Sequence, residues 1–286
     1  MNARRWAFAA LCTGGLLAAS VEPRPASREP IRSGNDWLLA VDFHVHAFPG
    51  DGALAPWLLR DEAARAGLDA FVVTNHNRVS TGRAARWLFG NTPGPLVIVG
   101  QEVTGRGFHI AAAGLEERVD WTRGAAAAIR AVHAQGGVAI AAHPSRTYRD
   151  GWNDEAVALL DGVERAHPSM QTPDVDRQFA DFAAYASALN PAVAYIGSTD
   201  YHVALALGFC RTWVLARERS AAAVVAAVRE GRTAAMDMRG RLHGNPDVAR
   251  LVRDTHVTVP EPRTPTRWSR AAAAAAAVGL LLLVLF

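Results

Sequence analysis

The chain has 286 residues, half of them hydrophobic and a fifth charged, which suits one compact domain of roughly 200–250 residues with appendages and excludes a disordered chain. Its 30 basic residues are all Arg, so Schiff-base catalysis by Lys and a P-loop lysine are ruled out. The net charge of +3 is scattered along the chain, and no basic stripe supports a nucleic-acid partner.

Arg4 and Arg5 precede the uncharged stretch 6–20, and 23–30 is rich in Pro. This layout predicts a signal peptide or an uncleaved signal anchor over 1–20, followed by a linker over 21–37. From residue 38 onward, short β-rich runs alternate with helical stretches. Strands are expected over 38–46, 70–76, 96–104, 108–113, 138–143, 162–166, 193–199 and 209–215. Helices are expected over 56–66, 83–89, 122–135, 154–160, 175–189 and 220–230. That alternation argues for an α/β domain over 38–237, with parallel strands joined by crossover helices. Cys210 stands alone in the apolar stretch 208–216 and reads as a small buried hydrophobe. The segment 238–270 reads as a tail and linker, with His243 and His256 on the surface. The last stretch, 271–286, is sixteen residues without a polar side chain, preceded by Arg263, Arg267, Trp268 and Arg270. A helix of that length spans about 24 Å against a hydrocarbon core of about 30 Å, and snorkelling by Arg270 shortens the gap. The expectation is a membrane anchor at this end and an exported, membrane-associated domain, with the membrane as a partner through the terminal segments.

Ligand-type residues fall in a pattern on this map. His44 and His46 end the first strand, His76 the second and Glu102 the third. His143 ends a later strand, while Asp200 and His202 follow another. Each lies at or just past the carboxyl end of a strand, the face on which parallel α/β barrels assemble active sites. His44 and His46, two apart on a strand, share a face and can grip one metal ion together. Asp51, on the glycine-flanked loop 50–52, can fold back toward them. Buried imidazoles and carboxylates need partners, so a shared metal explains this gathering better than separate core histidines.

The motifs Asp42-Phe43-His44-Val45-His46 with Asp51-Gly52, Thr74-Asn75-His76-Asn77, Gly100-Gln101-Glu102-Val103, Phe108-His109, His143-Pro144 and Gly197-Ser198-Thr199-Asp200-Tyr201-His202 resemble those of the polymerase and histidinol phosphatase (PHP) family, in the family's order. The resemblance covers about residues 38–237. It implies a distorted (β/α)7 TIM-like barrel carrying two or three divalent transition-metal ions, zinc, manganese or iron, and phosphoester hydrolysis. Position by position it implies His44, His46, Glu102 and Asp200 around one metal, with Glu102 bridging to a second held by His109 and His143. A third site takes Asp51, His76 and His202. Asn75 departs from the Asp common at this position and is expected to orient a loop beside His76. The short spacing from Glu102 to His109 requires a tight turn at 105–107.

Arg146 and Arg165 follow strand-end motifs and are candidates to hold a phosphate, since a planar guanidinium suits one. Glu164 is expected to support the pocket. His167, the first residue past its strand, is a candidate proton donor at the site mouth. The resulting reading is a metal-dependent phosphoesterase acting on a small molecule, with a metal-bridging hydroxide as nucleophile and Glu102, Asp200, Arg146, Arg165 and His167 in catalytic positions. Two alternatives stay open: amide or carbamate hydrolysis on the same centre, and a metal-binding module without turnover.

Overall fold

The computed structural model describes residues 3–20, 28–203 and 207–255, with isolated helical positions between 271 and 282. The chain divides into two compact units, Met1–Pro25 with Glu261–Phe286, and Ala26–Pro260. The first contains helix α1 (Ala3–Ser20). Most of the C-terminal apolar run lies outside the described residues. Among the described residues, no helix is long and apolar enough to cross a membrane.

The second unit runs β1 (Ile31–Ser33), β2 (Asp36–Val45), α2 (Pro56–Arg65), β3 (Ala70–Val73), α3 (Ser80–Phe89), β4 (Leu96–Gly105), β5 (Phe108–Ala113), α4 (Ala125–Ala134), β6 (Val138–Ala141), a short 3-10 turn (Arg146–Tyr148), α5 (Asp154–Ala158), β7 (Gly162–Ala166), α6 (Pro173–Leu189), β8 (Ala194–Gly197), β9 (Arg211–Ala216), α7 (Ala221–Arg229), β10 (Thr233–Met236), β11 (Leu242–Gly244) and α8 (Pro246–Asp254). Local chemistry sets these boundaries. Helix α6, for example, starts with Thr172 capping, Pro173 in its first turn, and Asp174 and Asp176 beside the positive end of its dipole.

The strands form one sheet in the order β11-β10-β9-β2-β3-β4-β5-β6-β7-β8, with β1 added along β2. It curls until its ends almost meet, giving a nearly closed α/β barrel. At the seam, Thr212 of β9 accepts from the Gly197 N–H of β8 at 2.9 Å and donates to its carbonyl at 2.8 Å. Thr233 of β10 donates to the Tyr195 carbonyl at 3.1 Å. A Cβ at Gly197 would stand 2.4 Å from the Arg211 carbonyl oxygen, so only Gly allows this approach.

The pairing is less uniform than the alternation of elements suggests. The β2–β3, β3–β4, β6–β7 and β7–β8 pairs are parallel, whereas β5 is antiparallel to both β4 and β6, and β9 is antiparallel to β2. The two-residue connection between β4 and β5 is too short for a crossover and can only make a hairpin. This is the distortion of the barrel. Inside it pack Leu39, Val41, Phe43, Val72, Ile98, Ala111, Ile140, Ile196 and Val214, with Val224 and Val228 of α7. The other helices of this unit cover the outside. Helix α2 buries Leu59 and Ala63 in one cluster, and α4 and α6 bury Ile129, Val132 and Phe182 in another.

Three strands and one helix have no counterpart in the sequence expectation. Strand β10 is the short Ala-rich run Thr-Ala-Ala-Met, which carries little β signal of its own. Strand β11 and helix α8 fall within 238–270, where a tail was expected. Asn245 caps α8 through the N–H groups of Asp247 and Val248, and Val248, Ala249 and Val252 join the cluster of α2. Packing against that cluster holds a nine-residue helix too short to be stable alone.

Candidate metal centre

A bulge aims the first two histidines. Before it, Leu38 and Ala40 of β2 face the surrounding helices, while Leu39, Val41 and Phe43 face the barrel interior. The register with β3 then shifts between Asp42 and Val45. Beyond the shift Val45 and Ala47 are the residues that face the helices, and His44 and His46 turn inward, both fully buried. A bulge commonly re-aims side chains beside a site. Glu102 of β4 and His109 of β5 continue the inward positions set by Ile98 and Ala111. His143 and Asp200 follow β6 and β8 with left-handed backbones, φ 28° and 48°, a strain of roughly 1–3 kcal/mol that non-glycine residues keep mainly at functional sites.

The nine ligand-type residues converge into three groups, in each of which the donor atoms lie within 4.8 Å of one another: His44, His46, Glu102 and Asp200; Glu102, His109 and His143; and His46, Asp51, His76 and His202. Glu102 belongs to two of them and divides its oxygens accordingly. Its Oε1 is 2.6 Å from His109 Nδ1 and 3.0 Å from His143 Nε2. Its Oε2 is 3.4 Å and 3.3 Å from the Nε2 atoms of His44 and His46, and 2.8 Å from His76 Nδ1. Asp200 Oδ1 lies 3.2 Å from both His44 Nε2 and His46 Nε2. In the third group, Asp51 Oδ2 is 3.2 Å from His76 Nε2 and 3.3 Å from His202 Nε2. His46 joins that group through Nδ1, 3.0 Å from Asp51 Oδ1.

The donor set fits a metal. His44 Nε2, His46 Nε2, Glu102 Oε2 and Asp200 Oδ1 are all buried without a hydrogen-bond partner. Four orphaned atoms facing one another would be costly, and a cation between them satisfies all four. Imidazole nitrogen with carboxylate oxygen suits zinc, manganese or iron.

The electrostatics point the same way. Burial disfavours charge on His44, yet Asp200, Glu102 and Glu164 raise its pKa well above the ordinary imidazole value. Burial also opposes charge on His46, but the Asp200 and Glu102 carboxylates that face it push it up to about 9. Burial would raise Glu164, but the His44 imidazole beside it outweighs this and holds it at about 2. Glu102 and Asp200 are likewise held below the usual carboxylate range against burial, with His44 the leading cause in both. The site therefore draws positive charge, for which protons and a divalent cation compete.

Other side chains hold this arrangement in place. Glu164 bonds His44 Nδ1 at 2.9 Å and also accepts from the His143 N–H and the Ser198 hydroxyl. Asn75 accepts from the Ala47 N–H at 2.9 Å and donates to the Ala47 and Pro49 carbonyls at 2.7 and 3.1 Å. An ionised Asp could not donate to those carbonyls, so the amide suits the loop it orients. Two contributors escape sequence reasoning. Asp42, fully buried, accepts from the N–H groups of His44, Thr199 and Gly208 at 3.1–3.2 Å and contacts the Thr199 hydroxyl, tying β2 to the loop that carries Asp200. Burial raises its pKa to about 6 despite these bonds. Tyr148 packs its ring 4.3 Å from that of His109 and 4.7 Å from that of His143. Asp42 sits inside a motif and could have been noticed there, whereas Tyr148 carries no local signal.

The remaining candidates divide. His167 is buried, with Nε2 3.7 Å from Asp200 Oδ2. Arg165 is not drawn into the cluster: it pairs with Asp176 of α6 at 2.9 Å, next along the strand from the inward-facing Glu164. Arg146 is exposed on the 3-10 turn, with Asp174 3.9 Å away. His243 lies in β11 near Asp237, and His256 lies outside the described residues.

No protein-family model and no curated protein matches this chain. Solved structures do match. One is a two-domain protein from Bacteroides vulgatus containing a predicted PHP-like metal-dependent phosphoesterase; it covers 82% of this chain and 74% of its own, with TM-score 0.61 and 24% identity. This chain has the PHP fold. A candidate metal-dependent phosphoesterase from Bifidobacterium adolescentis covers 81% of this chain and 99% of its own, with TM-score 0.43 and 16% identity. In this PHP-fold chain, the histidine and carboxylate groups described above lie at the strand ends of the barrel.

Proposed function

We propose that this chain is a metal-dependent phosphoester hydrolase acting on a small molecule. The observation that carries the reading is the division of Glu102, with one oxygen toward His109 and His143 and the other toward His44 and His46. A carboxylate so placed could serve two cations at once, which suits a two-metal hydrolase. His44, His46, Glu102 and Asp200 would hold one ion, Glu102, His109 and His143 a second, and Asp51, His76 and His202 a third. Divalent ions there supply Lewis acidity and lower the pKa of water from 15.7 toward about 7. The protein's own part is to fix the donors. Glu164 and Asp51 hold the Nδ1 atoms of His44 and His46, leaving Nε2 of each to face the shared centre.

One observation favours a second reading, amide or carbamate hydrolysis. Arg165 is engaged by Asp176 and Arg146 is exposed beside Asp174, so neither candidate guanidinium is in place to neutralise a phosphoryl group. The deciding experiment measures kcat/KM of the metal-loaded protein for a phosphomonoester, a phosphodiester and an aryl carbamate. The phosphoester reading expects one of the first two to be the best substrate, and it fails if the carbamate is.

We further propose that the barrel lies outside the cytoplasm and is held at the membrane by its terminal segments, a reading supported by Arg4, Arg5 and the apolar stretches at both ends. Protease added to intact spheroplasts should digest the barrel; protection until lysis rejects this placement.

A further inference from the structure

His167 follows β7 and is buried against α6, its ring stacked on Phe179 at 5.8 Å and edge-on to His143 at 5.7 Å. The Ser169 backbone N–H donates to His167 Nδ1 at 3.1 Å, and the Ser169 hydroxyl lies 2.8 Å from the same atom. A backbone N–H can only donate, so Nδ1 is an acceptor and carries no proton. The ring proton is therefore on Nε2. That Nε2–H is buried without a hydrogen-bond partner. Its nearest carboxylate oxygen, Asp200 Oδ2, is 3.7 Å away, beyond the reach of a hydrogen bond. A desolvated donor thus stands at the wall of the metal centre, between a residue of the first group and one of the second, with no protein acceptor within hydrogen-bond distance.

We propose that His167 is a substrate-binding residue, its Nε2–H donating a hydrogen bond to an oxygen of the phosphoryl group held at the centre. The inference rests on the phosphoesterase reading and assigns to this imidazole the directed donor that Arg146 and Arg165 do not supply. No proton is transferred. A preorganised donor of this kind acts without reorganisation when charge develops on the oxygen it faces.

The test uses the metal-loaded full chain and inorganic phosphate, with binding read by calorimetry and metal content by mass spectrometry. His167→Phe keeps the ring stack and removes the donor; it should retain the metals, bind phosphate at least 10-fold more weakly and lose about 100-fold in kcat on a phosphomonoester. His167→Gln places an amide donor near the same point and should recover most of the phosphate affinity. Phosphate affinity unchanged in the Phe variant overturns the proposal. So does metal loss in the Phe variant that Gln restores, because His167 would then act by positioning Asp200. A wild-type protein that loads metal but neither binds phosphate nor hydrolyses any phosphoester instead defeats the phosphoesterase reading, which separates the two failures.

Discussion

The Glu164 carboxylate holds His44 by its Nδ1 at 2.9 Å, which leaves Nε2 of that ring to face Glu102 and Asp200. A carboxylate on the far nitrogen fixes the tautomer and makes an imidazole a better ligand. Glu164→Gln keeps the shape and weakens this hold, so metal affinity should fall roughly 10- to 100-fold with little change in fold. Competition against a chelator of known affinity measures it, and an unchanged dissociation constant would show that Glu164 does not tune the site.

Glu102 is expected to matter to more than one ion, because its two oxygens face different histidine groups. Glu102→Gln removes the charge while filling the same space. Purified variant protein should contain at least one ion fewer than wild type and lose about 100-fold or more in turnover. Full metal content with full turnover would remove Glu102 from the bridging position.

Metal binding should depend on pH through His46. Its pKa in the folded, metal-free protein is about 9, so a cation must displace a proton below that value and apparent affinity should rise as pH approaches about 9. The same shift makes a stability statement. The folded pKa lies above the ordinary 6.5, so the contacts of charged His46 stabilise chelator-treated protein fully below about pH 6.5 and cease to do so as pH rises through about 9. The Tm of metal-stripped protein should decline across that window while metal-loaded protein holds steady. Parallel Tm profiles for the two forms would contradict this account.

Asp42 titrates in the opposite sense. Burial raises it from 3.8 to about 6, so between about pH 4 and 6 the folded chain binds a proton that the unfolded chain has released. Its contribution to stability therefore falls as pH rises through that window, by about 3 kcal/mol in all, and is flat above it. Asp42→Asn cannot ionise, so denaturant titrations from pH 4 to 7 should show wild type losing this increment and the variant not. The difference between the two curves is the measurement, and a constant difference would be evidence against a protonated Asp42.

Much of the candidate site was legible before any fold was known, because residue type and local period belong to single segments. The expected strand over 38–46 places two imidazoles two residues apart, the strands carrying Glu102 and His109 fall where expected, and His44, His46, His76, His143, Asp200 and His202 lie at or just past strand ends. The helices from α2 to α7 show their apolar faces in the same local way, and α5, α6 and α7 also their capping residues Asn153, Thr172 and Ser220.

Other features depended on pairing between distant segments. Constant alternation from Leu38 and Ala40 would turn His44 and His46 toward the helices; the register shift against β3 turns them inward, and no residue within β2 announces it. Arg165 looked like a phosphate contact until α6 brought Asp176 to it. The chain around α8 looked like a tail until the cluster beneath it gave Val248 and Val252 somewhere to be buried. In each case the deciding energy is an interaction across the fold, between residues far apart in the chain. Sequence alone thus determined which groups are available and at which strand ends they stand, while the closing of the sheet decided which way they point and which partners they keep.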